Sequence, residues 1–268
     1  MNFKSLCDKI QLQDEMREEA LCYFQSGDFD KVRPFIEGLK NMETESMARD
    51  TLSLLLAPDP KKARMLACML ACAVDLYPWY REKGICEAIF LNTMHCFTRF
   101  IEECKNITGQ YAFDREWWTA RQVSGRLFRI GELEYEMIHT DYDAAISIHI
   151  PSDSVLTPQK CDESLESAKN FFAEYFPEYK GKDFICHSWL LAPELGCLLP
   201  SYSNIIAFQQ RFQVQNVDYS DTEYMDWVFK TRGIPVKDLP EDTTLQKNMK
   251  RHLRNGGKIG NGSGRLIH

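Results

Sequence analysis

DAAISIHIPSDSVLTP, residues 143–158, reads as a strand, a polar turn and the start of a helix. Ala144, Ile146, Ile148 and Ile150 share one face of the extended part, and Ala145, Ser147 and His149 share the other, because side chains alternate along a strand. Pro151 ends the strand, and Ser152, Asp153 and Ser154 make the turn. Thr157 stands at a helix N-cap, with Pro158 in the first turn, where its missing N–H costs nothing. Cys161, Leu165, Ala168, Phe172 and Phe176 then recur at three- and four-residue spacing, one apolar stripe to lay on a sheet, until Pro177 closes the helix. After Lys180-Gly181-Lys182, the run FICHSWLL, Phe184 to Leu191, is apolar enough to be a parallel strand buried on both faces. Residues 143–191 are therefore a βαβ unit.

Upstream, Leu133, Tyr135 and Met137 alternate with Glu132, Glu134 and Glu136, the pattern of a half-buried strand with its acids turned outward. A turn at 140–143 makes this strand the antiparallel neighbour of the one at Ala144, and the helix that follows brings FICHSWLL in parallel by a crossover. Further back the pattern is helical throughout. Two short helices are divided at Gly27-Asp28, and a third ends near Ala57 before Pro58-Asp59-Pro60. Lys61 to about Tyr80 is apolar on most of its surface, as suits the central helix of a bundle, and another helix spans about Cys86 to Cys104. Asp114 opens a short helix bearing Trp117, Trp118 and Arg121. These signals place a helical domain at 1–113 and an α/β domain, a mixed sheet flanked by helices, at 114–268.

Downstream, Ser203 caps a helix through Phe208, and Phe212 to Val217 forms another strand. Ser220-Asp221-Thr222-Glu223 has capping-box spacing for a helix starting at Tyr224 and ending at Gly233. A last helix runs from Thr243 to Asn255, with Gly256-Gly257 as its left-handed cap.

With 268 residues, 44% hydrophobic and 26% charged, the chain has enough apolar surface to bury a core. A net charge of -7 argues against a nucleic-acid-binding surface over the whole protein. The longest apolar run, Met65 to Val74, is too short to cross a bilayer, and the N-terminus lacks the apolar core of a signal peptide, so the expected location is cytoplasmic, with no membrane partner. The ten cysteines lie in apolar patterns without a Cys-x-x-Cys pair and read as buried thiols. Cys68 and Cys72 are one turn apart, but no histidine nearby in sequence completes a metal site. His95 reads as a core-edge histidine. Cys186-His187 is not a nucleophile and its base, because adjacent strand residues point to opposite faces; the same objection holds for Ser188.

Four blocks in order carry a resemblance: SIHIPSDS at 147–154, FICHSWLL at 184–191, SNIIAFQ at 203–209 and RNGGKIGNGSG at 254–264. Together they resemble bacterial acyltransferase-domain proteins that join a helical N-terminal domain to a GNAT-like C-terminal domain. The resemblance implies an acyl-CoA-dependent N-acyltransferase. Its cofactor is acetyl-CoA or another acyl-CoA, and its acceptor a small-molecule or peptide amine; the oligomeric state stays open. It further implies that Ile150, Ser152, Ser154 and Thr157 lie along the CoA pyrophosphate, where free N–H groups and a helix dipole favour phosphate. The turn departs from the GNAT pattern of Gln or Arg, two residues, then Gly-x-Gly or Gly-x-Ala, and Asp153 repels phosphate. Another way of holding CoA, another cofactor and a purely structural turn all remain open. A second phosphate candidate is the basic C-terminus, where Lys258, Gly260, Gly262, Ser263 and Arg265 follow the last acidic residue, Asp242. The competing reading there is a helix whose basic end complements its dipole, followed by a loose tail.

His149 and His187, near the ends of neighbouring parallel strands, are the candidate bases for deprotonating the amine, each weighed against a structural role in the core. The rival function is a catalytically inactive GNAT-like scaffold whose helical domain binds a partner.

Overall fold

The computed structural model of the chain describes residues 1–140, 143–231 and 233–267 and divides into two compact units, Met1–Ile130 and Gly131–His268. The first is helical, with α1 (Phe3–Lys9), α2 (Asp14–Phe24), α3 (Gly27–Ile36), α4 (Glu45–Leu55), α5 (Ala63–Glu82), α6 (Glu87–Met94), α7 (Cys96–Thr108) and α8 (Glu116–Val123). It closes on a short strand, β1 (Leu127–Ile130), which the sequence did not announce. As its composition requires, α5 is central: every side chain from Met65 to Ala73 is buried, against α1, α2, α3, α6 and α8. The helix expected over 86–104 is two helices, broken at His95. Just before the break, Thr93 Oγ1 donates to the Ile89 carbonyl at 2.7 Å and accepts the Arg129 N–H at 2.9 Å, a local competition with the helical ladder that bends helices.

The second unit contains β2 (Leu133–His139), β3 (Ala144–His149), α9 (Pro158–Tyr175), β4 (Phe184–Ser188), α10 (Leu195–Leu198), α11 (Asn204–Gln209), β5 (Phe212–Asp218), α12 (Thr244–Arg254) and β6 (Asn261–Leu266). Its strands run in the order β2-β3-β4-β6-β5. Only β3 and β4 are parallel; β2 pairs with β3, and β6 with both β4 and β5, antiparallel. The expected helical region followed by a mixed sheet flanked by helices is the observed architecture. The turn expected at 140–143 includes residues 141–142, which lie outside the described residues; its ends close through the Thr140 N–H and the Asp143 carbonyl at 2.9 Å.

One face of the sheet is apolar. Tyr135 on β2, Ile146 and Ile148 on β3, and Phe184 and Cys186 on β4 share it by register, and Cys161, Leu165, Ala168 and Phe172 of α9 are buried. Tyr135, Phe172 and Phe184 meet with ring centroids 5.9–6.5 Å apart. A smaller core gathers Leu195, Ile206, Phe229, Met249 and Ile259 around α10, α11 and α12.

The structure departs from three sequence expectations. FICHSWLL is a strand only to Ser188, after which Trp189–Leu191 turn as a 3-10 helix; Phe184, Cys186 and Ser188 are buried, whereas His187 is exposed. No α-helix starts at Tyr224: Ser220 Oγ donates to Asp218 at 2.6 Å instead of capping, and residues Met225–Phe229 form one π-type turn. The capping box lies at Thr243 and Gln246, opening α12. Finally, the glycine-rich end is not a loose tail but β6, hydrogen-bonded between β4 and β5.

Candidate active site

The other face of the sheet is polar, and both histidines stand on it. Ser147 pairs with Ile185 and Ile148 with Cys186 in the parallel ladder, which puts His149 and His187 on a common face one residue beyond its last pair. There the ladder stops, although β3 continues to His149 and β4 to Ser188.

His149 Nε2 lies 2.9 Å from Glu136 Oε2 on β2, and the two side chains are 19% and 9% exposed. Glu134, paired with His149 in the antiparallel register, is also buried. The sequence pattern had turned both glutamates to solvent; the structure buries them, so this strand is covered on both faces.

His187 is more open, its side chain 54% exposed. Ser263, its partner in the β4–β6 register, brings Oγ to 2.7 Å from Nδ1, while Asp221 Oδ2 lies 3.9 Å from Nε2, beyond hydrogen-bond reach. Asn261 donates to Asp221 at 2.7 Å and Glu223 at 3.1 Å, tying these acids to the sheet. Hydrogen bonds from Ser220, with the nearby His187 adding to them, hold the Asp218 carboxyl below its ordinary value. Glu223 also lines a cavity of 560 Å³ with Tyr224, Met225, Asp226 and Ile234.

The turn between β3 and α9 is not vacant of charge. Its Val155 N–H donates to Glu132 Oε2 at 2.8 Å, Lys160 donates to Glu132 Oε1 at 2.7 Å, and the Ser154 hydroxyl reaches the Glu132 carbonyl at 2.5 Å. Ser152 is exposed, Ile150 is half-buried, and Thr157 holds the N-cap backbone position without a side-chain capping bond. An N–H and an ammonium thus converge on one carboxylate, so the residues suit an anionic group. The signal for Glu132 was its place in the acidic alternation before β2, where it read as a solvated charge.

The C-terminal candidates do not form a comparable seat. Ser263 is engaged by His187, Arg265 forms an ion pair with Asp183, and the Lys258 carbonyl faces His252 Nε2 at 3.0 Å. A side chain on Gly262 would meet the Leu191 carbonyl oxygen at 2.7 Å, and one on Gly260 would strike Val217. These glycines allow close packing, and β6 is bonded on both edges, which turns its amides toward neighbouring strands and away from a phosphate.

Neither Cys186 nor Ser188 is placed to attack. Cys186 is fully buried, which pushes its thiol well above the ordinary value, and Ser188 Oγ accepts the Leu190 N–H at 3.2 Å. Cys68 and Cys72 are buried, and no group of three or more potential metal ligands occurs among the described residues. Nor is any helix among them long and apolar enough to cross a membrane.

Residues 1–125 match the N-acyltransferase N-terminal domain, and residues 127–266 match the GNAT-like C-terminal domain. No curated protein matches the chain. Among solved structures, an acyltransferase in complex with decanoyl-CoA and teicoplanin is similar with a TM-score of 0.82 and 21% identity, over 98% of this chain and 86% of that one. An acyltransferase in complex with decanoyl-CoA gives 0.81 and 22%, and one in complex with CoA and 10C-teicoplanin gives 0.82 and 21%, both over the same shares. At this identity the likeness is one of fold. By its domain matches, the chain belongs to the family of the GNAT-like C-terminal domain, here following an N-acyltransferase N-terminal domain, and is an acyltransferase.

Proposed function

We propose that the protein moves an acyl group from acyl-CoA to an amine by direct attack. One observation carries this reading: the β3–β4 ladder ends at Ile148 and Cys186 while both strands continue, carrying His149 and His187 onto one polar face. In this reading an extended pantetheine arm lies where that ladder stops, and β3 leads from there into the anion-suited turn before α9. The solved neighbours bound to decanoyl-CoA and CoA favour acyl-CoA as donor. Their complexes with teicoplanin and 10C-teicoplanin put glycopeptide amines first among acceptors to try.

In this reading His149 is the base. It takes a proton from the acceptor ammonium, and the freed amine nitrogen attacks the thioester carbonyl carbon. The tetrahedral adduct collapses as the C–S bond breaks. The second proton of the nitrogen passes to the departing sulfur, leaving an amide and the CoA thiol, and His149 returns its proton to solvent. No acyl-enzyme is formed, consistent with the burial of Cys186.

Calorimetric titration with CoA, acetyl-CoA and decanoyl-CoA at low and moderate salt tests the donor. Saturable binding that weakens with salt is expected; its absence for all three ligands would overturn the proposal. His149→Ala is expected to lower turnover about 100-fold or more while changing acyl-CoA affinity little.

A further inference from the structure

We propose that Glu136 is a positioning residue for this transfer, fixing the imidazole of His149 in the Nε2–H form. The inference rests on the reading of His149 as the base. An ionised carboxylate offers only lone pairs, so at 2.9 Å the Nε2–H donates to Glu136 Oε2 and the ring lone pair lies on Nδ1. Without such a partner, a neutral imidazole exchanges tautomers and rotates.

The strand register explains why Glu136 makes this contact. Its Cα stands opposite Ser147, so it reaches His149 along the diagonal of the ladder, a distance that suits a long side chain. Both groups are held at their backbones by the same antiparallel pairing, so the contact does not depend on a loop. Burial strengthens it: with the Glu136 side chain only 9% exposed, solvent screens the pair weakly. His187 has no equivalent. Its nearest carboxylate lies 3.9 Å away, and its other contact, Ser263, is a rotatable hydroxyl.

The test uses full-length protein carrying Glu136→Gln, Glu136→Asp, His149→Ala and the Glu136→Gln/His149→Ala pair. CoA thiol release from decanoyl-CoA is followed with teicoplanin as acceptor, and with water alone where teicoplanin is not turned over. Long-range ¹H–¹⁵N spectra of the imidazoles are recorded alongside, His149 being assigned by its loss in His149→Ala. In the wild type His149 is expected as the Nε2–H tautomer. Glu136→Gln should shift that signature and lower kcat about 100-fold, with KM for decanoyl-CoA within about twofold. Glu136→Asp should recover part of the loss. The double variant should be no slower than His149→Ala, because the glutamate acts only through the histidine.

Wild-type kcat with an unchanged tautomer in Glu136→Gln would overturn the proposal, as would a further loss on the His149→Ala background. Calorimetric CoA affinity and the melting temperature identify a variant that has merely unfolded; the wild-type tautomer and the Glu136→Asp spectrum then decide. Wild-type turnover in His149→Ala removes the base assignment itself, whereas a slow His149→Ala beside a fast Glu136→Gln removes only the role of Glu136.

Discussion

The carboxylate of Glu132 accepts the N–H of Val155 at 2.8 Å, in the turn that joins β3 to α9. With Lys160 on its other oxygen, this carboxylate occupies the groups proposed to hold a phosphate of the donor. Glu132→Gln keeps an acceptor for Val155 but removes the competing charge. CoA is expected to bind about fivefold more tightly to that variant, a difference of about 1 kcal/mol, and Lys160→Ala should weaken binding. Calorimetry at two salt concentrations checks both; unchanged or weaker binding to Glu132→Gln would place the phosphates elsewhere.

Cys186→Ala should retain turnover within about threefold, since a thiol buried this deeply is not the nucleophile. Mass spectrometry after mixing with decanoyl-CoA should show no acyl adduct on the chain. An adduct lost in Cys186→Ala would replace direct attack by a two-step mechanism.

Gly262 packs against the backbone of Leu191, with no room for even a methyl group. Gly262→Ala is expected to destabilise the protein by about 1–3 kcal/mol, because backbone cannot move aside as a flexible side chain can. Thermal melting measures the loss. A wild-type melting temperature would mean that the turn after β4 yields freely.

Ser164 on α9 connects the helix to the sheet. Its Oγ lies 2.8 Å from the Tyr135 hydroxyl and accepts the Leu133 N–H at 3.3 Å, all three groups being buried. Ser164→Ala leaves two polar groups without this partner and should cost about 1–3 kcal/mol by denaturant titration. A neutral outcome would mean that water replaces the hydroxyl.

Burial also raises the Tyr135 phenol above its ordinary value. For a raised group the sign is fixed: its contribution is complete below the unfolded value, about 10, and is lost as pH rises through that value towards the folded one. Wild-type stability should therefore fall with pH above about 10, and less steeply in Tyr135→Phe. Parallel curves for the two proteins would dismiss Tyr135 as a source of the alkaline loss.

Much of the fold could be read in the chain because local signals and final packing agreed. Alternation in 144–150, the Thr157-Pro158 start and the apolar stripe to Phe176 all produced the elements they announced. So did Ser203 before α11 and Thr243 before α12, whose hydroxyls accept the N–H groups of Ile205 and Gln246. Each depends on residues within about one turn of one another, a range over which sequence and space are nearly the same thing.

The site was only partly legible. His149 and His187 could be placed on neighbouring strands, since parity along a strand is a property of sequence. That Glu134 and Glu136 are buried beside His149 could not, because acids alternating with apolar residues give the same pattern whether their face is wet or covered. Gly260 to Gly264 read as a phosphate loop or tail for a similar reason: glycine marks a close approach without saying to what. The approach is to Leu191 and Val217, tens of residues earlier. Ser220 had capping spacing, yet its hydroxyl turned back to Asp218 and Glu223 was drawn to Asn261 on β6. The sequence by itself determined which segments are helix or strand and which side chains share a face. Only the tertiary structure decided which faces are buried and which charges meet, because those depend on contacts between residues far apart in the chain, whose energies outweigh local preference.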